Sequence, residues 1–388
     1  MEKINDRFLN WASILEENTR AQVQTLSQMP FIFPHIALMP DAHLGRGCAV
    51  GAVIPTNGTI IPAAVGVDIG CGMIAVRTQW CLDDIDSRHL SSLRESIENS
   101  IPLSAGNYNT SLTHSASRRC DKLSDMADRF GFDPSLYSEN WKLQLGTLGS
   151  GNHFIEITVD EENRVWAFLH SGSRGVGNRI AQRHIKVAVE QCKKRWINLS
   201  DPDLSYLVQG DDEFWEYIRE LRWAQHFAAL NRDEMMDRVL DCLAYYVGPV
   251  HEIERINCHH NFTQEEKHFG KVVWVSRKGA IEAKKDQLGL VPGSMGAASY
   301  VVRGLGNVLS LNSSPHGAGR VHSRSAAKKK FTHQDLIDSM SGIEFRNTSA
   351  FIDEIPAAYK PIDQVMDDAS DLVEIVHTLR QIVNVKGD

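Results

Sequence analysis

From Ile36 to Thr78 the chain is built of short apolar runs cut by Gly, Pro and Asn, and longer amphipathic stretches follow only after residue 170. The runs Ala49 to Ile54, Thr59 to Val67 and Met73 to Val76 are bounded by turn residues and too short for helices, so they read as strands joined by tight loops. Upstream, residues 6–28 place Phe8, Leu9, Ala12, Ile14 and Leu15 near helical spacing, and the prolines at 30 and 34 end that pattern. The spacing predicts further helices over roughly 177–196 and 213–247, the second amphipathic with aromatic residues on its apolar face, and a last helix over about 369–383. Strands are expected again near 271–276 and 300–302, whereas 98–140 is polar, rich in Ser and Asn, and reads as helix and loop. Helices and strands occur without steady β-α-β alternation, which points to an α+β fold with central β-sheets flanked by helices.

With 388 residues, 42% of them hydrophobic, the chain can bury a large core. No run of Pro, Ser or charge reads as a tether and no internal period is evident, so a single domain over 1–388 is expected, with 98–140 as a variable insert. The net charge of −8 argues against non-specific coating of nucleic acid but leaves room for a local basic groove. Cysteines 48, 71, 81, 120, 192, 242 and 258 form no C-x-x-C pair, which suits thiols in a reducing compartment. The first ten residues are polar and carry neither a signal-peptide core nor a membrane span, so a cytoplasmic protein is expected.

Two glycine-rich stretches carry ligand chemistry: Met39-Pro-Asp-Ala-His-Leu-Gly-Arg-Gly-Cys48 and Val65-Gly-Val-Asp-Ile-Gly-Cys-Gly72. In the second, Asp68 and Cys71 are three residues apart, so one tight turn can aim a carboxylate and a thiol at the same ion. His43, His153, His170, His260 and His316 lie beside Gly, Asn or Ser; one such histidine is more often a hydrogen-bonded core residue, but together with Asp68 and Cys71 they form a mixed ligand set suited to Zn²⁺, Mn²⁺ or Fe²⁺. Of the adjacent His259 and His260, an extended backbone lets only one reach a given ion. Asn152 and Asn261 are placed to orient ligands or to bind a phosphate oxygen.

The segment Ser313-Ser-Pro-His-Gly-Ala-Gly-Arg320 differs in kind, because small residues around a histidine allow close approach of a phosphate. A neutral imidazole there can attack phosphorus while Arg320 holds the oxygens, although a plain turn with an exposed histidine fits the motif equally well. The loops His170-Ser-Gly-Ser-Arg-Gly175 and Pro292-Gly-Ser-Met-Gly296 could cradle anions through backbone N–H groups, but no Walker lysine accompanies them. Arg320, Arg324 and Lys328-Lys-Lys330 add positive charge that would draw a polyanion toward this segment.

Together these stretches resemble the RtcB family of RNA ligases. The resemblance runs in order through Met39-Pro-Asp-Ala-His-Leu-Gly45, Pro62-Ala-Ala-Val-Gly-Val-Asp-Ile-Gly-Cys-Gly-Met73, Gly149-Ser-Gly-Asn-His-Phe154, His170-Ser-Gly-Ser-Arg-Gly175, Asn257-Cys-His-His-Asn261, Arg277-Lys-Gly-Ala280, Pro292-Gly-Ser-Met-Gly296, His316-Gly-Ala-Gly-Arg320 and Asp353-Glu-Ile-Pro356. It implies two Mn²⁺ ions held by Asp68, Cys71, His153, His170 and His260, with Cys71 shared. It further implies GTP as cofactor, His316 as the guanylylated residue, Arg174 and Arg320 as charge-stabilising catalytic residues, and a guanosine pocket drawn from Asn152, Phe154, Glu156, Ser294, Ser299, Tyr359 and Lys386. The implied substrates are RNAs ending in a 3′-phosphate or 2′,3′-cyclic phosphate, joined to 5′-hydroxyl ends in tRNA splicing or RNA repair; an activating partner is left open. Pro315, where a small polar residue is expected, and the poorly matching 98–140 depart from the family pattern.

Two rival readings remain at the level of sequence. A binuclear phosphoesterase acting on RNA ends without a nucleotide would use the same metal ligands and leave His316 dispensable. A non-catalytic RNA-binding factor would keep the metal for structure, but Asp68, Cys71 and His316 beside phosphate-handling loops exceed what a structural site needs.

Overall fold

The computed structural model describes residues 1–388. Two sheets form its frame. The first runs in the order Glu2–Asn5, Phe8–Asn10, Ile36–His43, Val50–Thr56, Lys271–Lys278 and Asn261–His268. The second runs Glu252–His259, Gly72–Cys81, Arg164–Ser171, Phe154–Val159, Val373–Lys386, Ser299–Gly304 and Leu288–Val291, with Glu344–Phe345 pairing beside Val373–Lys386. Helices lie against these sheets, in keeping with the expected α+β class.

Alternation along the second sheet divides its side chains between two cores. Ile74, Val76, Ile155, Ile157, Val165, Ala167 and Leu169 pack with Met235, Met236, Val239 and Leu243 of the helix Asp212–Val247. Met73, Ala75, Phe154, Trp166 and Phe168 point the other way, into a core shared with the first sheet and with Val301 and Leu379. The earlier turns of the same helix bury Phe214, Tyr217, Leu221, Trp223 and Phe227 against the helices His114–Phe130 and Arg174–Lys194. Thr113 caps His114–Phe130 at its start, accepting the Ala116 N–H, and Gly131 at φ 73° ends it.

Two expectations fail at the ends of the chain. Instead of one helix over 6–28 there is a strand, Phe8–Asn10, running parallel to Ile36–His43, and a shorter helix, Glu17–Ser27. Phe8 and Leu9 fill two cores at once, which a strand inside a sheet allows and one face of a helix does not. The helix expected over about 369–383 is the long strand Val373–Lys386. Its β-branched residues Val373, Ile375, Val376, Thr378, Ile382, Val383 and Val385 pack well on a pleated surface and lose side-chain freedom in a helix. Thr59 to Val67 is strand only over Thr59–Ile60, after which Pro62 opens a single turn of 3-10 helix. Within 98–140 the long helix is His114–Phe130, followed by a turn of 3-10 helix over Pro134–Leu136. No helix of the molecule is long and apolar enough to cross a membrane.

Candidate active site

Register explains why ligands distant in sequence meet. In the second sheet Gly72 pairs with both His259 and Ser171, while His170 pairs with both Met73 and Phe154. Four neighbouring strands therefore end level, and Cys71, His153, His170 and His260 sit at that shared rim. His260 is the single residue between Glu252–His259 in one sheet and Asn261–His268 in the other, so it stands where the two sheets join. Asp68 reaches the same point on the loop before Gly72. A Cβ on Gly172 would lie 2.2 Å from Asp68 Oδ1, so only glycine lets the strand end come this close to the carboxylate.

The donor atoms converge. Cys71 Sγ is 3.4 Å from His153 Nε2 and 3.2 Å from His170 Nε2. His170 Nε2 is 2.8 Å from His260 Nε2, and Asp68 Oδ2 is 3.2 Å from His153 Nε2. Each imidazole turns its other nitrogen toward an oxygen: His153 Nδ1 toward Leu148 O at 2.9 Å, His170 Nδ1 toward Asn152 O at 3.2 Å and His260 Nδ1 toward Asn261 Oδ1 at 3.2 Å. A proton on Nδ1 satisfies those contacts and leaves the Nε2 lone pairs facing one another and the sulfur, which is how imidazoles are presented to a cation. Burial and neighbouring imidazoles push His170 and His260 well below the usual histidine range. Burial and Asp68 push the Cys71 thiol well up, a penalty that a bound cation reverses. Burial also opposes the charge on Asp68, but His153 and Arg174 outweigh it and hold the carboxyl at about 2. The residues present thus fit divalent metal.

His259 faces away from this cluster, as expected of one member of an adjacent pair. It meets Gly70 O at 2.8 Å and Arg232 Nη2 at 3.1 Å. His43 also stands apart, with Nδ1 on Asp41 O at 3.0 Å, and lines the cavity without touching the cluster.

That cavity encloses about 590 Å³, and Asp68, His170, His260 and His316 all line it. The His316 and His260 rings lie 4.5 Å apart between centroids. Asp41, fully buried, accepts from the His316 backbone N–H at 3.1 Å and meets its Nδ1 at 2.6 Å. With Nδ1 so held, Nε2 is the free nitrogen. Gly319, at φ 73°, closes the loop behind it, where a Cβ would sit 2.1 Å from Asp41 O. Pro315 ends the short strand Ser313–Pro315 opposite Ala280 and thereby fixes the approach to His316.

Of the pocket residues implied by the resemblance, Asn152, Phe154, Glu156, Ser294, Tyr359 and Lys386 line the cavity. Glu156 Oε2 and Asn384 Oδ1 are buried without a hydrogen-bond partner, and burial pushes the Glu156 carboxyl up to about 8 despite Lys386. A neutral carboxyl and an amide oxygen on a cavity wall can match the mixed donor and acceptor edge of a nucleobase. Ser299 lies behind the wall, its hydroxyl accepting the Gly293 N–H at 3.3 Å. Lys386 is anchored by Glu354 at 3.0 Å rather than fraying with the terminus.

The two arginines differ in how they meet the cavity. Arg174 stands behind His153, 3.2 Å from its Nδ1, and is absent from the cavity wall. Arg320 lines the cavity, but its guanidinium bonds Glu354 at 3.2 Å, Tyr359 Oη at 2.8 Å and Asp353 O at 2.7 Å. In the loop His170–Gly175 the Ser173 N–H is spent on Asp68 Oδ1 at 3.0 Å, so this loop braces a carboxylate instead of cradling a free anion.

Several residues the motifs did not single out organise the site. Asp41 is one, and Asp353 with Glu354, which hold Arg320, Arg324 and Lys386, are others. Arg232, fully buried in the helix Asp212–Val247, donates to Gly70 O at 2.8 Å, Ser171 O at 3.0 Å and Asn257 Oδ1 at 2.8 Å, tying three ligand-bearing strand ends together. Its neighbour Asn231 accepts from the Gly146 and Thr147 N–H groups at 2.7 and 3.2 Å. Asp41 and Asp353-Glu354 lie within quoted motifs and were accessible in principle, whereas nothing in the sequence distinguishes Arg232 from other helical arginines.

Residues 22–387 match the sequence model of the family described as tRNA-splicing ligase RtcB. The chain is 45% identical to the RNA-splicing ligase RtcB of Escherichia coli (strain K12), over 96% of this chain and 95% of that protein. It is 30% identical to the tRNA-splicing ligase RtcB of Pyrobaculum aerophilum over 97% and 93%, and 28% identical to the RNA-splicing ligase RtcB2 of a second Escherichia coli strain over 94% and 91%. A match spanning nearly the whole chain, on a rim of thiol, carboxylate and imidazoles facing a buried histidine–aspartate pair, places this protein in the RtcB family.

Proposed function

We propose that the protein is a GTP- and Mn²⁺-dependent RNA ligase that joins 3′-phosphate or 2′,3′-cyclic phosphate ends to 5′-hydroxyl ends through guanylylated His316, in tRNA splicing or RNA repair. The observation that carries the reading is the Asp41–His316 pair, 2.6 Å apart, whose imidazole lies 4.5 Å between ring centroids from His260 of the metal-binding rim, in one cavity with buried polar atoms that have no hydrogen-bond partner. On this reading Asp68, Cys71, His153, His170 and His260 would hold the two ions between them, with Cys71 shared. Bound there, the pair would neutralise phosphate charge and orient the reacting groups.

The chain's own residues supply the remainder. Asp41 keeps the proton on His316 Nδ1, so Nε2 attacks the α-phosphorus of GTP; a P–N bond forms and pyrophosphate departs. A 3′-phosphate oxygen then takes the guanylyl group as the P–N bond breaks, and the imidazole is regenerated. The 5′-hydroxyl oxygen attacks the activated 3′-phosphate, its proton is lost and GMP leaves. A cyclic end is first opened by water to the 3′-phosphate. Glu156, Asn384 and Lys386 hold the base, and Arg320, steadied by Asp353 and Glu354, keeps the loop after His316 in place.

The test is incubation with Mn²⁺ and α-labelled GTP. Acid-labile label on the chain that disappears in His316→Ala supports the reading. Hydrolysis of cyclic phosphate without label would replace it with the phosphoesterase.

A further inference from the structure

We infer that the exposed stripe of the helix Arg174–Lys194 which starts in the cavity and ends at Trp196 is a track for single-stranded RNA leading to the reacting end, with Trp196 stacking on one base; the inference rests on the RNA-ligase reading above.

The same cavity is also lined by Arg46, Gln182, Ile185, Lys186, Asp203 and Lys278, of which Arg46 stands 3.9 Å from Asp203 and Lys278 donates to Arg46 O and Ala63 O, leaving Lys186 as the cation without a partner. A nucleoside beside Glu156 and Asn384 leaves the part lined by this helix for the RNA. Gln182, Ile185, Lys186, Val189 and Lys193 fall at i, i+3, i+4, i+7 and i+11, so the wall of the cavity continues outward as one face of the helix. From Lys186 to Trp196 the distance is about 15 Å at 1.5 Å per residue, room for about four stacked nucleotides at roughly 3.4 Å each.

At the far end the chain reads Lys193-Lys194-Arg195-Trp196. Arg195 is bound to Asp211 at 2.5 Å, but Lys193 and Lys194 are exposed and form no ion pair. Trp196 is 94% exposed, whereas six of the other seven tryptophans are no more than 7% exposed. Its backbone is left-handed, φ 55°, closing the helix where glycine is usual: its N–H donates to Lys193 O and that of Ile197 to Cys192 O, both at 3.0 Å. A bulky side chain in that conformation, held wholly in solvent, gains nothing in packing from the fold. An exposed indole two and three residues from exposed lysines offers stacking and phosphate neutralisation, the two contributions from which sequence-tolerant single-strand sites are built.

Two measurements on the full chain with Mn²⁺ and GTP test this. Unstructured 3′-phosphate RNAs of two and of ten nucleotides are compared as ligation substrates for the parent, Trp196→Ala and Trp196→Phe. Because stacking on one aromatic is worth about 1–3 kcal/mol per base, Trp196→Ala should raise KM about tenfold or more for the long RNA, leave the short one unaffected, and be largely rescued by Trp196→Phe. Binding of the ten-mer should also shield a quencher-accessible tryptophan signal that Trp196→Ala lacks. If the parent seals RNA but Trp196→Ala keeps the parental KM for both lengths and the quenching is unprotected, the track is wrong and the ligase reading stands. If the parent neither binds nor seals RNA, both fall together.

Discussion

Asp41→Asn isolates the residue on which the nucleophile depends. The substitution keeps shape but removes a charge that accepts two hydrogen bonds from His316, at 2.6 and 3.1 Å, in a fully buried position. A hydrogen bond to a charged group is worth roughly 1.5–3 kcal/mol, so loss of the charge alone should slow guanylylation about ten- to a hundredfold. If the amide turns its NH₂ toward Nδ1, the proton must move to Nε2 and the nucleophilic lone pair vanishes; an analogous histidine–carboxylate pair loses about 10⁴-fold this way. The readout is the single-turnover rate of label transfer from α-labelled GTP, with bound Mn²⁺ measured on the same sample. Metal content should be unchanged, because Asp41 touches none of Asp68, Cys71, His153, His170 or His260. Labelling at the parental rate, or metal loss without slower labelling, would refute the assignment of Asp41 as the group that sets the tautomer.

Other outcomes follow from the same geometry. Cys71→Ala should lower bound metal and abolish sealing, while His316→Ala abolishes sealing with metal content intact; elemental analysis alongside a ligation assay separates them. Arg232→Met should destabilise the fold by about 3 kcal/mol or more in urea titration, since three buried acceptors lose their donor at about 1–3 kcal/mol each. Glu156 sits at about 8 when folded against an ordinary value near 4.5, so its contribution is fully present below pH 4.5 and is lost as pH rises through 8. Glu156→Gln should therefore flatten the decline of Tm between pH 5 and 9 in thermal melts; an unchanged decline would show that the carboxyl is not buried as described.

The sequence by itself determined which side chains are available for chemistry. Asp68 and Cys71 share one turn, so their convergence is a local matter that glycine spacing reveals. The two long helices near 177–196 and 213–247 were legible because their apolar faces repeat over many turns. Helix and strand at the chain ends were not: Phe8 and Leu9, and the run from Val373 to Val385, carry spacing compatible with either, and pairing with Ile36–His43 and with Phe154–Val159 settled them as strands. Only the tertiary structure decided that four strands end level, that Arg232 clamps them from beneath, that Asp41 faces His316 across 275 residues, and that Arg174 stands behind the rim rather than before it. Residue type and local spacing fix what a side chain can do, but which partner it meets depends on sheet register, and register is set by the burial of the whole sheet at once.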